Sequence, residues 1–258
     1  VRKHVLKAVN VAMIGVCAAV YAVVGRLTDL GVTVGGVAFW PAAVIPAVFA
    51  VLFGPLVGGV GAGIGIFIRD MLFHGDPLLS LSVGVTANVV AFATLGYVAR
   101  RGVDPWKLKF AGVLGTVVVA FGFLLPTVLL PEETTAYTRL STMQALALFA
   151  LTVVISLLIL GLVARLKRGW RGFVAGSVIG LAVGSAMIAF GVWAYSQLFF
   201  SPSGYFKTPL PLALMPVVFV WTFATEAPFV LVLGPPVIKA CYRAFPSLAT
   251  GNEQRSTV

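Results

Sequence analysis

Polar groups that can do chemistry are few in this chain, so each one stands out. Glu226 lies alone in an apolar run, with eighteen uncharged residues before it and twelve after. A carboxylate at mid-membrane depth is costly, and proteins that keep one usually turn it to a cavity or a partner. A structural carboxylic acid, protonated or hydrogen-bonded, is the plainer alternative. A second group is denser: Arg69-Asp70 closes a glycine-rich run, and His74 and Asp76 follow in what reads as an outer loop. Asn88 sits near the middle of the next apolar stretch, two residues after Thr86. Its amide both donates and accepts, which suits a ligand's polar edge or a bond between helices. Arg26 and Asp29 end the first apolar run and are candidate lid residues. Together, Arg26, Asp29, Arg69, Asp70, His74, Asp76, Asn88 and Glu226 are the candidate binding residues.

Several chemistries find no residues to carry them. There is no Gly-x4-Gly-Lys-Ser/Thr loop, no His-Glu-x-x-His pair and no Gly-x-Ser-x-Gly elbow. The chain has two histidines, His4 and His74, and two cysteines, Cys17 and Cys241. No metal-ligand set and no disulfide framework is expected from these. The reading is a protein without catalytic residues, metal or cofactor.

The elements that must position these groups follow from composition. Apolar residues make up 60% of the 258 and charged residues 10%, against about 25% charged in soluble domains. Such a chain has too little polar surface to cover a soluble globule, so its solvent is largely lipid. A membrane span needs about 20 apolar residues. Uncharged runs place spans at about 8–25, 37–53, 56–69, 79–99, 110–130, 141–164, 172–199 and 211–238. The break at Gly54-Pro55 divides a run too long for one pass. The expected fold is an all-α, single-domain polytopic helical bundle of about eight segments.

Basic residues orient it. With the N-terminus inside, fourteen of the eighteen Lys and Arg fall on the inner side. Arg26, Arg69, Arg139 and Lys207 are left outside. This satisfies the positive-inside rule and puts both termini in the cytoplasm of a multi-pass cell-membrane protein. The net charge of +10 therefore concerns topology and lipid rather than nucleic acid. Trp40, Trp193, Tyr195, Gln197 and Tyr205 fall toward the outer ends of their passes. Aromatics there form an interfacial belt, and one or two can stack on a ligand.

Small residues supply the packing signals. Gly59 and Gly63 are four apart, as are Gly61 and Gly65, and in the first pass Gly15 and Ala19, and Ala18 and Ala22. Such stripes let helices approach closely, within the chain or against a partner.

The run Phe53-Gly54-Pro55-Leu56-Val57-Gly58-Gly59, then Gly65, Arg69-Asp70, Pro77-Leu78-Leu79-Ser80-Leu81 and Gly96-Tyr97 resembles the substrate-binding S components of energy-coupling factor transporters. The ending, with Ala227-Pro228-Phe229 and Pro235-Pro236-Val237-Ile238-Lys239-Ala240, is similar to that family's last helix and tail. The resemblance covers about residues 8–99 and 222–248. It implies capture of a vitamin or similar small molecule at an outward-facing site. It also implies delivery with a membrane coupling subunit and two cytoplasmic ATPases, on which Ala18, Ala19 and Ala22 would form the docking face. Members of that family usually have six helices, so eight segments imply a hairpin inserted within about 110–199.

Two rivals use the same residues. A secondary transporter would employ Glu226 as its proton- or sodium-coupling carboxylate. A membrane-embedded enzyme would need a cluster of ionisable groups at one depth, and this chain has few.

Overall fold

The computed structural model describes residues 8–29, 33–101, 170–201 and 203–248, with isolated positions between 104 and 154. Among these residues the architecture is helical. Helix α1 spans Ala8–Leu27, and Thr28 folds its hydroxyl back onto the Val24 carbonyl at 2.8 Å. A two-stranded antiparallel hairpin follows, pairing β1 (Thr33–Val34) with β2 (Val37–Ala38). Its turn is Gly35-Gly36, with φ of 57° and 82°. A two-residue hairpin loop favours positive φ at both central positions, which glycine adopts without a steric penalty.

The hairpin corrects the pass expected at 37–53. A 3₁₀ turn, Pro41–Ala43, leads straight into α2, Val44–Leu52. The two together rise roughly 18 Å at 1.5 Å per residue, short of the ~30 Å of a hydrocarbon core. Gly54, at φ 121°, then turns the chain and Pro55 starts α3, Pro55–Phe73, as the Gly-Pro pair predicts. Helix α3 runs past the expected end at 69. Arg69 and Asp70 therefore lie inside a helix and not in a loop, because each finds a partner there, as described below.

Helix α4 spans Pro77–Ala99, with a π-helical stretch over Ser80–Val85. Helix α5 is Arg171–Leu198 and α6 is Leu214–Ala244. Pro228, Pro235 and Pro236 sit within α6, which continues through all three. Five of these helices, α1 and α3 to α6, are long and apolar enough to cross a membrane. The passes expected at 110–130 and 141–164 lie outside the described residues, apart from isolated positions.

Glycines set how closely the helices meet. Helix α3 presents them on three sides. Gly61 and Gly65 abut Cys17, Ala18 and Tyr21 of α1, Gly58 abuts Ala50 of α2, and Gly59 and Gly63 abut Val89 and Ala93 of α4. The two glycine pairs read from the sequence thus serve two different neighbours. A longer stripe lies on α5. Gly172, Gly176, Gly180 and Gly184 recur every fourth residue and press on the backbone of α4 around Ala99, Leu95, Ala91 and Ala87. Gly172 also lies against the Arg101 carbonyl. Close approach of a carbonyl oxygen to a glycine on the facing helix recurs where small residues bring membrane helices together. The order in which these residues meet makes α1, α3 and α5 parallel to one another and antiparallel to α2, α4 and α6. The start of α1 and the end of α6 therefore lie at the same end of the bundle.

The alanine stripe of α1 divides. Ala18 and Ala22 are buried and turned inward, with Ala18 against Gly65. Ala19 and Gly15 are exposed, and a Cβ on Gly15 would meet nothing within 4 Å. Of the expected docking face of Ala18, Ala19 and Ala22, the first and last are thus buried within the chain, Ala18 beside Gly65 of α3, and Ala19 is exposed.

Candidate functional site

Alternation of helix direction gathers the late turns of α1, α3 and α5 with the early turns of α4 and α6. The hairpin and the segment after α5 close over that end. A cavity lies there, lined by Trp40, Ile66, Arg69, Asp70, His74, Val83, Gly84, Asn88, Ile188, Val192, Tyr205, Phe206 and Glu226, among others. It encloses about 640 Å³ of space not filled by atoms, a figure that takes in its open mouth and the solvent there.

Arg69 is the hub. It is 6% exposed. Its Nη2 donates to Asp29 Oδ2 at 2.9 Å and its Nη1 to Asp70 Oδ1 at 3.3 Å. Trp40 and Phe73 lie within 4.6 and 4.1 Å of the guanidinium carbon, measured to ring centroids. A planar cation that stacks on rings and forks to two carboxylates is a task for arginine and not for lysine. Asp70 is held on its other oxygen by the Ser80 hydroxyl at 2.7 Å. Gly84 makes this possible, since a Cβ there would lie 2.7 Å from Asp70 Oδ2.

His74 stands one turn beyond Asp70. Its Nδ1 accepts from the Asp76 backbone N–H at 3.1 Å, which leaves Nε2 to carry the proton of a neutral ring. That nitrogen faces Asp70 Oδ1 at 3.8 Å. Above it lies Tyr205, ring centroids 5.1 Å apart, whose hydroxyl donates to the Gly36 carbonyl at 2.7 Å. Burial pushes the Tyr205 phenol up to about 12, so it stays a donor at any physiological pH. This bond ties the segment after α5 to the hairpin turn over the cavity.

On the floor, three polar groups form a chain. Trp40 Nε1 donates to Tyr21 Oη at 2.6 Å, Tyr21 Oη to Asn88 Oδ1 at 2.8 Å, and Asn88 Nδ2 to the Gly84 carbonyl at 2.9 Å. Gly84 belongs to the π-helical stretch, a distortion found often at functional sites. Glu226 differs from all of these. It lines the cavity, is 7% exposed, and its carboxylate has no hydrogen-bond or ion-pair partner among the described residues.

Of the candidate residues, then, Arg69, Asp70, His74, Asn88 and Glu226 line one cavity, and Asp29 joins them through Arg69. Asp76 lies just outside, as the N-cap of α4. Its Oδ1 accepts from Leu78 and Leu79 N–H at 3.0 Å each and its Oδ2 from the Tyr195 hydroxyl at 2.8 Å. Arg26 stays apart, exposed in the last turn of α1. Tyr21, Ser80, Gly84 and Phe206 are additional members that polarity alone did not single out. Tyr21 was detectable in principle, as a phenol well inside an apolar pass needs a partner when buried.

Asp76 has a measurable role of its own. Partial burial pushes its carboxyl up, but the Leu79 N–H, the Tyr195 hydroxyl, the Leu78 N–H and the nearby His74 outweigh this and hold it below the ordinary value. A depressed carboxyl stabilises the fold above its unfolded pKa, about 3.9, and loses that contribution as pH falls through the folded value. Asp76→Ala is expected to cost about 1 kcal/mol, as lost N-caps do, and Asp76→Asn much less. Thermal unfolding from pH 7 to pH 3 should show the wild-type advantage over Asp76→Ala shrinking below about pH 4. An advantage independent of pH would assign it to something other than the ionised cap.

No family model matches the chain, and no solved structure matches it. It is similar to two curated relatives. A UPF0397 protein of Clostridium perfringens is 27% identical over 131 residues, which is 49% of this chain and 71% of the relative. The UPF0397 protein of the SM101 strain of the same species is 26% identical over 131 residues, with the same coverage. Among the described residues the chain is a helical protein with five helices long and apolar enough to span a membrane and a cavity at one end that several polar side chains enter; it is distantly similar to UPF0397 proteins.

Proposed function

We propose that the chain is the substrate-capture subunit of an energy-coupling-factor-type importer. In this reading it binds a vitamin or similar small molecule in the cavity and delivers it with a membrane coupling subunit and two cytoplasmic ATPases. Its role is binding and not catalysis. One observation carries the reading: polar residues from positions 29 to 226 converge on one cavity at one end of the bundle. The opposite end, where α4 and α6 finish and α5 begins, carries Arg100, Arg101, Arg171, Lys239 and Arg243. The positive-inside rule puts that end in the cytoplasm, which turns the cavity outward, where a nutrient arrives.

The test is purification of the tagged chain from its native membrane, with mass spectrometry for a retained small molecule and for co-purifying ATPases. Uptake is then measured with and without an ATPase carrying a disabled nucleotide loop. The reading expects both companions and ATP-dependent uptake. Uptake that continues without the ATPases and collapses with the proton or sodium gradient would overturn it in favour of a secondary transporter using Glu226.

A further inference from the structure

The cavity's charges say what kind of molecule it takes, given the capture reading above on which this inference rests. Among the described residues that line it, Arg69 is the one arginine or lysine. Two of its three nitrogens are engaged: Asp29 and Asp70 hold the terminal pair, Trp40 and Phe73 flank the guanidinium, and Nε is buried with no hydrogen-bond partner among the described residues. An anionic ligand would reach the terminal nitrogens only by displacing a carboxylate. Glu226 is the reverse case. It has no partner among the described residues, and it is buried at the wall of the cavity.

Three carboxyl groups, of Asp29, Asp70 and Glu226, share the site with one guanidinium. A buried carboxylate without a counter-charge is unfavourable until a cation or a hydrogen-bond donor reaches it. A bare metal ion fits poorly, because no group of three or more His, Cys, Asp or Glu side chains is arranged to hold one among the described residues. Much of the remaining wall is apolar, including Ile66, Val83, Ile188, Val192 and Phe206.

We propose that the captured molecule is a small organic cation, whose protonated nitrogen meets Glu226 and whose apolar body packs on the aliphatic and aromatic wall. Asp29 and Asp70 then hold Arg69 away from the ligand and do not contact it.

The experiment uses three probes of nearly one shape and different charge: benzamidine (cationic), benzamide (neutral) and benzoate (anionic). Each is titrated against the full chain in detergent, with the thermal unfolding midpoint as readout. Small molecules retained through purification are identified in parallel. Benzamidine should bind at least about tenfold more tightly than either analogue, the scale of losing one partner of a desolvated charge pair. The near-isosteric Glu226→Gln should remove that preference while unfolding at a similar temperature without probe. Glu226→Asp should keep the preference. The retained molecule should carry a basic nitrogen.

If benzamide or benzoate binds as well as benzamidine, if none of the three binds, or if the retained molecule lacks a basic nitrogen, the cation assignment is overturned. A retained molecule of any charge leaves the capture reading standing. That reading is overturned separately, by absent ATPases and ATP-independent uptake.

Discussion

Arg69→Ala should be among the most damaging single substitutions in this protein. Removing the guanidinium leaves Asp29 and Asp70 buried without their shared cation and opens the packing against Trp40 and Phe73. Breaking a buried ion pair by deleting one side costs about 3–5 kcal/mol. For a chain of this size that is on the order of a 10 °C fall in unfolding temperature. Arg69→Lys should recover little, because an ammonium cannot fork to two carboxylates while stacked on rings. The cause is separable from lost packing. In an Arg69→Met background, Asp29→Asn should restore stability, since it removes a buried charge that has lost its ion pair with Arg69. If thermal unfolding shows no such rescue, the ion pair is not what Arg69 contributes.

The second large effect lies between α4 and α5. A Cβ on Gly180 would stand 2.5 Å from the Ala91 carbonyl oxygen and 2.9 Å from the Leu95 Cβ, and one on Gly176 would stand 2.5 Å from the Leu95 carbonyl oxygen. Backbone cannot step aside as a side chain can, so the helices must part along the whole stripe. Gly180→Ala is expected to cost about 1–3 kcal/mol, as overpacking does, and Gly180→Leu to abolish recovery of monodisperse protein. Gly15→Ala is the control. Its new methyl meets nothing within 4 Å, and alanine exceeds glycine by about 1 kcal/mol in helix propensity. Equal unfolding temperatures for Gly180→Ala and Gly15→Ala would remove the stripe as a determinant of stability.

What could be read from the sequence and what could not divide along physical lines. The Gly54-Pro55 joint was legible because both residues act locally, one through φ and one through a missing N–H. The spans were legible wherever charge punctuates them, and for the same reason α3 was cut short. Arg69-Asp70 reads as the end of an apolar run, but Arg69 pairs with Asp29, forty positions earlier, as well as with Asp70, and both residues stay inside the helix. Hydropathy does not contain that distance. The hairpin at 33–38 was hidden because Gly35-Gly36 sits in an uncharged run, where apolar character outweighed turn character. The polar residues of the cavity stood out individually because the surrounding composition is so poor in charge. Which of them meet depends on helix order and direction, so Asp76 and Arg26 could not be told apart from Asp70. The α5 stripe was present as plain four-residue spacing from Gly172 to Gly184. It is the same signal as in α3, in a segment weighed only by length.

Gly172 rests against the carbonyls of Ala99 and Arg101, and this seam has a topological consequence. The end of α4 and the start of α5 meet there, so the described helices on either side of residues 102–169 share one end of the bundle and run in opposite directions. The direction of α5 and α6, and with it the end at which Glu226 and the cavity lie, is therefore set by contacts among the described residues alone.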